Sequence, residues 1–389
     1  MKTKRFLLFT IFLAVMELSG CRATETQIPL SESTTAITSA PLETPTADNA
    51  FVTDTPSIPA VETQTMEIPP ATPSPEALPT ATDKPLPATP AGTELPDPTP
   101  VPCNMLHNSY TSLSVPTQIT KIEEDYFLVD CYHNQILTSP ALDKPLEEWY
   151  VMSDQIDRGH TITGNGMVYL ADDTENNRVL VFQKEGTDFV QTQVFENIGS
   201  RPHYVEYHPA TDRFYVLSSM SGELYVFYQE DSYSEVRLEQ VLNIPDMQNV
   251  YIRSFTIEDD EIYFPASNGV ILRCRLTDLE VLEQWILPDE IAGLVQLAKI
   301  GGYFYLTVST DKSGNAKYAT IIRTKDLSYL QDHGYDDLYT VFEGEGTPYY
   351  ISAFDNHYYL TQHCYMPGHG VWQFDIEEEN ICNVISLYP

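Results

Sequence analysis

Six polar side chains stand ahead of six aromatic-rich phrases: Gln118, His160, His203, Arg253, Gln296 and Tyr350. Each lies 9 to 12 residues before the central aromatic of its phrase. Their residue types carry distinct chemistry. Two imidazoles, His160 and His203, can ligate a divalent metal ion, zinc or calcium being the expected cofactor. The guanidinium of Arg253 can hold a carboxylate or a phosphate. The phenol of Tyr350 can donate to an oxyanion, or act as a base if its pKa falls. Gln118 and Gln296 supply neutral donors and acceptors. The six together form a candidate ligand-binding set, and His160, His203, Arg253 and Tyr350 are the candidate catalytic group. This chemistry requires that residues more than two hundred positions apart meet in one place, so the elements that carry them decide the matter.

Those elements repeat. The phrases are Tyr126-Phe127-Leu128-Val129, Val168-Tyr169-Leu170-Ala171, Phe214-Tyr215-Val216-Leu217, Ile262-Tyr263-Phe264, Phe304-Tyr305-Leu306 and Tyr358-Tyr359-Leu360. Their central aromatics are spaced by 42, 46, 48, 42 and 54 residues. A shorter period-2 segment precedes each phrase, and runs such as Val179-Leu180-Val181-Phe182 and Leu224-Tyr225-Val226-Phe227 follow. Alternating apolar residues bounded by turn residues read as strands, and a period in the forties with several strands per copy reads as propeller blades. The fold expected over 103–389 is all-β, a six-bladed β-propeller of four-stranded antiparallel blades. In such a ring the first strand of every blade lines the central channel, so the six polar residues are expected to converge there.

One turn carries a family likeness. Asp172-Asp173-Thr174-Glu175-Asn176-Asn177-Arg178-Val179-Leu180-Val181-Phe182 resembles the turn of NHL-repeat propellers, where an acidic residue ends one strand and Asn-Arg opens the next. Asp130-Cys131-Tyr132-His133-Asn134-Gln135-Ile136-Leu137 is a looser copy. The chain thus resembles the six-bladed, NHL-repeat and TolB-like group. The peptide-amidating lyase of that group holds zinc with channel histidines and works with Arg and Tyr. The resemblance therefore implies a metal-assisted lyase or lactonase-type enzyme as an alternative to plain ligand binding. Here the channel column holds two histidines, on adjacent blades. No G-x-S-x-G, H-E-x-x-H or G-x-x-x-x-G-K-[ST] motif occurs.

Residues 1–20 read as a secretory signal. Lys2, Lys4 and Arg5 precede an apolar run from Phe6 to Met16 that is too short to span a bilayer. Leu18-Ser19-Gly20-Cys21 resembles the lipobox of bacterial lipoproteins, which implies lipidation of Cys21 and anchorage to the extracytoplasmic face of a bacterial cell membrane. From residue 22 to 102, 34 of 81 positions are Pro or Thr and Phe51 is the lone aromatic residue. Such a segment cannot bury enough apolar area to offset its ordering entropy, so 21–102 is expected to be a disordered stalk.

The 389 residues carry a net charge of -35, from 56 acidic and 21 basic side chains. Nucleic acid is excluded as a partner, because phosphate binding needs clustered Lys and Arg. Cys103, Cys131, Cys274, Cys364 and Cys382 follow the lipobox cysteine. Cys131 with Cys364, or Cys103 with Cys382, would staple the closure of the ring. His133, His208, His333 and His357 read as turn residues, and His363 and His369 as flanking a solvated hairpin. Glu258-Asp259-Asp260-Glu261 and Glu377-Glu378-Glu379 read as hairpin turns. The expected function is recognition of a small polar ligand, or of an extracellular polymer or protein, at one mouth of the channel. A non-catalytic scaffold of an envelope complex, using the blade edges, is the third class.

Overall fold

The computed structural model describes residues 104–232, 234–342, 346–364 and 370–388. The expected signal, Cys21, the expected stalk, Cys103 and His369 lie outside them.

The described residues form six four-stranded antiparallel sheets, each built from four consecutive strands. These are the six blades: 116–153, 162–195, 202–243, 256–286, 293–337 and 346–388. The helical segments among them are single 3-10 turns of three to six residues. The local logic is plain in blade 2. Val168–Asp173 and Arg178–Glu185 pair around a turn in which Asn177 adopts a positive φ of 53°. The buried Asp173 carboxylate closes that turn, accepting from Arg178 Nε at 2.7 Å and Asn176 Nδ2 at 3.0 Å. This is the Asp…Asn-Arg pattern read from the sequence.

Each sheet is apolar on both faces, because each packs between two neighbours. Six buried clusters fill the six gaps between adjacent blades. Phe127 and Ile136 of blade 1, for example, meet Ile162 and Tyr169 of blade 2. The ring closes the same way. Ile119, Leu128 and Trp149 of blade 1 pack against Tyr359, Val371 and Tyr388 of blade 6.

Blade 6 takes all four of its strands from 346–388, so no strand from the other end of the chain completes it. The seam is held by side chains: Thr361 Oγ1 donates to Thr117 O at 2.7 Å and Tyr388 OH to Leu142 O at 2.5 Å. Residues 104–110 lie instead along the outer edge of blade 1, where Asn108 N donates to Trp149 O at 2.8 Å.

The cysteine staples are corrected. Cys131 and Cys382 are both free thiols, so neither the Cys131–Cys364 nor the Cys103–Cys382 bridge is formed. Buried apolar area across the seam does the work assigned to them.

Candidate functional site

The inner strands do not start cleanly. Pairing with the second strand breaks between Pro116 and Gln118, between Pro202 and Tyr204, between Leu294 and Gln296, and between Pro348 and Ile351. Thr117, His203, Val295 and the Tyr349–Tyr350 pair are the residues left over. A bulge adds a residue that the ladder does not use and re-aims its side chain. In blades 2 and 4 the inner strand is short, and His160 and Arg253 lie just ahead of Ile162–Gly164 and Thr256–Glu258.

Three hydrogen bonds between blades show which residues share a level. Gln118 Oε1 accepts from Ile162 N at 2.7 Å, Thr161 Oγ1 from Val205 N at 2.9 Å and Gln296 Oε1 from Ile351 N at 2.6 Å. Gln118, Thr161 and Gln296 are therefore equivalent, and so are Ile162, Val205 and Ile351. Counting back from the latter set puts Tyr204 and Tyr350 with Gln118, and puts His160, His203 and Tyr349 one residue earlier. The six residues aligned by sequence thus come from two levels, not one ring. Gln118 and Gln296 are spent tying blade to blade and line no mouth. Tyr350 is buried, its hydroxyl donating to Arg253 O at 2.5 Å.

His160, His203 and Arg253 do meet, and other groups join them. The two imidazoles stack at 3.7 Å between centroids, with 13° between planes. His203 Nδ1 lies 3.1 Å from Arg253 O. A carbonyl only accepts, so Nδ1 carries the proton and Nε2 is the acceptor, taking the Tyr251 hydroxyl at 2.8 Å. Tyr349 OH stands 3.3 Å from both His160 Nδ1 and His203 Nε2. His363, read from sequence as a loop residue, belongs to the strand His357–Cys364, and its ring stacks on Tyr349 at 4.6 Å. Its Nε2 is shielded from solvent with no hydrogen-bond partner among the described residues.

Burial holds all three imidazoles below the ordinary histidine range. For His160 the neighbouring His203 and His363 add to it; for His203, Arg253 and Arg201 do. His363 is lowered to about 4, with Arg253 as the second cause. They are neutral at physiological pH.

The metal expectation does not fit this arrangement. Both ring nitrogens of His203 are engaged, and among the described residues no group of three His, Cys, Asp or Glu side chains is placed to hold an ion. The remaining group near His160 is the buried Cys131 thiol, 3.9 Å from Nε2 and pushed far above the usual thiol range by burial and by the charge of Asp172.

Asp172 builds this floor. Fully buried, its carboxylate accepts from His160 N at 2.9 Å, Thr161 N at 2.7 Å, Thr161 Oγ1 at 2.8 Å and Thr174 Oγ1 at 2.8 Å. Burial raises its pKa to about 6 against those hydrogen bonds.

Above the floor lies a cavity of about 210 Å³. Its wall includes His160, Tyr349 and His363, and three arginines: Arg158, Arg201 and Arg253. No aspartate or glutamate lines it, although the chain has 56. Arg201 pairs with Glu175 at 2.6 Å. Among the described residues Arg158 and Arg253 pair with no carboxylate. Arg158 lies over the Tyr132 ring at 4.9 Å and Arg253 over Tyr251 at 4.5 Å.

Arg158 and Arg201 were not singled out by sequence reasoning, and they share an unusual backbone. Both adopt positive φ, 52° and 61°. This costs a residue with a β-carbon on the order of 1 kcal/mol. In each case an asparagine of the preceding blade holds the strained peptide: Arg158 N donates to Asn134 Oδ1 at 3.1 Å and Arg201 N to Asn177 Oδ1 at 2.7 Å. The available signal was the repeated Arg-x-His, Arg158-Gly159-His160 and Arg201-Pro202-His203.

Comparison with known proteins adds the fold. No protein-family model matches the chain, and no curated protein is similar to it in sequence. Among solved structures, a putative 6-phosphogluconolactonase from Bacteroides uniformis aligns with a TM-score of 0.52 and 14% identity, over 72% of this chain and 87% of the other. Its counterpart from Bacteroides fragilis gives 0.52 and 13%, over 70% and 84%. A streptogramin B lyase gives 0.50 and 14%, over 74% and 87%. The chain is a six-bladed β-propeller. At these identities the likeness extends to the backbone and not to any site.

Proposed function

We propose that this protein is an extracytoplasmic, lipid-anchored binding protein of the NHL-repeat type, whose propeller takes a small polar ligand at one mouth of its channel. The observation that carries the reading is the convergence of three arginines and two neutral imidazoles, from blades 2, 3, 4 and 6, on one preformed cavity, with His203 stacked beneath His160. Convergent polar groups in a concave site are what a binding site requires. The anchor rests on the Ser-Gly-Cys sequence at 19–21 and the apolar run before it. The test is a thermal-shift screen of small organic acids, sugars and peptides. At least one compound should raise the unfolding midpoint of the wild type by several degrees and leave Arg253→Ala unmoved. A library that moves neither protein, or both equally, refutes a site at this mouth. Cys21→Ser should move the protein from the membrane to the soluble fraction.

One observation favours a second reading, a lyase or lactonase-type enzyme. His363 Nε2, beside the cavity, has no partner among the described residues, and an imidazole nitrogen so placed is what acid–base work needs. Its low pKa of about 4 makes it a weak base, so binding ranks first. Loss of lactone-opening or elimination activity in His363→Gln, with binding retained, would reverse that ranking.

A further inference from the structure

Resting on the binding reading above, we infer that the ligand is a compact anion carrying at least two negative charges, held between the Arg158 and Arg253 guanidinium groups.

Four independent features of the mouth point to charge rather than to polarity alone. The first is what is missing. In a chain of net charge -35, acidic side chains reach most arginines: Arg178, Arg201, Arg213, Arg273, Arg275 and Arg323 each pair with one. Arg158 and Arg253, both on this cavity, pair with none among the described residues; Arg237, the other without a pair, lies exposed on the outer strand of blade 3. Two cations without counterions beside a shared cavity repel each other until an anion arrives.

The second is orientation. Arg253 uses one nitrogen to donate to Leu294 O at 3.0 Å, and its guanidinium carbon lies over the Tyr251 ring. Arg158 lies over Tyr132. A contact with a ring face uses none of the N–H donors of a guanidinium, and those donors are what bind a carboxylate or phosphate oxygen pair.

The third is the backbone. The strained φ of Arg158 is held by Asn134, and that of Arg201 by Asn177. A strained arrangement made twice, on adjacent blades, brings a guanidinium to the cavity wall each time. Strain at an outlier of this kind is retained where it serves a site.

The fourth is the floor. The imidazoles are neutral, so they contribute donors and acceptors without adding positive charge that a larger anion would be needed to balance. Arg201 is already neutralised by Glu175. The guanidinium groups that reach the cavity without a carboxylate partner among the described residues are therefore two, Arg158 and Arg253, while the Asp172 carboxylate beneath is spent on its own hydrogen bonds.

Size limits the class further. A cavity of about 210 Å³ has room for about seven water volumes. That admits a phosphate or a short dicarboxylate. The chemistry named is the doubly charged, oxygen-rich anion; the experiment separates its phosphate and carboxylate forms.

Isothermal titration of the full chain with inorganic phosphate, succinate, acetate and galactose tests the inference. Phosphate or succinate should bind at least about tenfold tighter than acetate, a tenfold step being the smallest that one added ion pair gives. Arg158→Gln and Arg253→Gln should each weaken the preferred dianion by about tenfold or more, and raised salt should weaken it in the wild type. Circular dichroism and unfolding midpoints of both variants establish that they fold, and Arg213→Gln, whose partner Glu239 lies on the outer part of blade 3, should bind as the wild type does. If galactose binds in an Arg253-dependent way and the dianions do not, the mouth is a ligand site and the charge assignment is wrong. If acetate equals succinate and phosphate, a single charge suffices and the inference falls. If none of the four binds at about 10 mM, this inference falls, while the screen above decides the binding reading separately.

Discussion

The two ends of the channel are made from the same six strands and have opposite character. At one end the bulged residue Tyr349, with His160 and Arg253, faces a cavity rimmed by arginine and free of carboxylates, His203 lying beneath. Three residues further along the inner strand of blade 3, about 10 Å at the rise of a strand, stands Glu206. At its level, counted from the same interblade hydrogen bonds, blades 1, 2, 5 and 6 present Thr120, Thr163, Ala298 and Ser352.

Glu206 has no hydrogen bond or ion pair among the described residues, and burial with the nearby Glu258 raises its pKa to about 8. Between the two ends Tyr204, Val295, Tyr349 and Tyr350 fill the axis. The backbone is therefore indifferent to charge. One or two side chains per end set the character, guanidinium groups at one and at the other a carboxyl that its raised pKa keeps protonated at neutral pH, and the tyrosine plug keeps the ends apart. A propeller's function has to be sought at that scale.

The comparison is most severely tested at Asp172, which builds the cationic end alone. Asp172→Ala leaves three buried donors, His160 N, Thr161 N and Thr161 Oγ1, without an acceptor, while Thr174 Oγ1 keeps Pro202 O; it should cost about 3–5 kcal/mol, lowering the unfolding midpoint by on the order of 10 °C. Asp172→Asn should recover part of this, since one oxygen remains. Equal stability of Asp172→Ala and wild type would mean that the floor holds itself.

Glu206 sharpens the other end. Its folded pKa, about 8, lies above its ordinary value, so the folded state binds the proton more tightly than the unfolded chain. Stability from this group is then full at acid pH and lost as pH rises from about 4.5 to 8. The neutral histidines act in the opposite sense, since the unfolded chain gains their protons as pH falls below about 6.5. Measuring Glu206→Gln against wild type cancels the histidines. The midpoint of the wild type should fall relative to the variant by about 3 °C per pH unit between pH 5 and 8. Parallel curves would show that Glu206 is solvated like a surface acid.

The smallest effect concerns the strained arginines. Asn177→Ala removes the acceptor of Arg201 N and puts a less tolerant residue at a φ of 53°. A loss of about 1–2 kcal/mol follows. Asn177→Gly keeps the φ and loses the acceptor alone, so it should fall between the two. If Asn177→Gly equals wild type, the Asn–Arg contact aims nothing.

Much of the fold was legible from local pattern. Phrases such as Val168-Tyr169-Leu170-Ala171 and Phe214-Tyr215-Val216-Leu217 alternate along the strand and recur at a blade's spacing, and period-2 burial needs no distant information. The site was half legible. His160, His203 and Arg253 were found because they precede those phrases by similar intervals. Gln118, Gln296 and Tyr350 were set beside them because a bulge inserts one residue whose presence depends on the partner strand. His363 was taken for a loop because Gly and Pro follow it, while its ring lies on Tyr349. Arg158 and Arg201 were passed over because nothing in their neighbourhood marks a positive φ outside glycine and asparagine.

Residue order alone determined that this chain makes six short-stranded, doubly apolar sheets after a segment too rich in Pro and Thr to form a core. Both follow from composition and periodicity, which act over a few residues. Only the closed ring decided which polar side chains share a cavity, which histidine nitrogens are engaged and which arginines lack a counterion. Those outcomes depend on contacts between residues up to two hundred positions apart, and a one-residue bulge, invisible to alternation, changes every one of them.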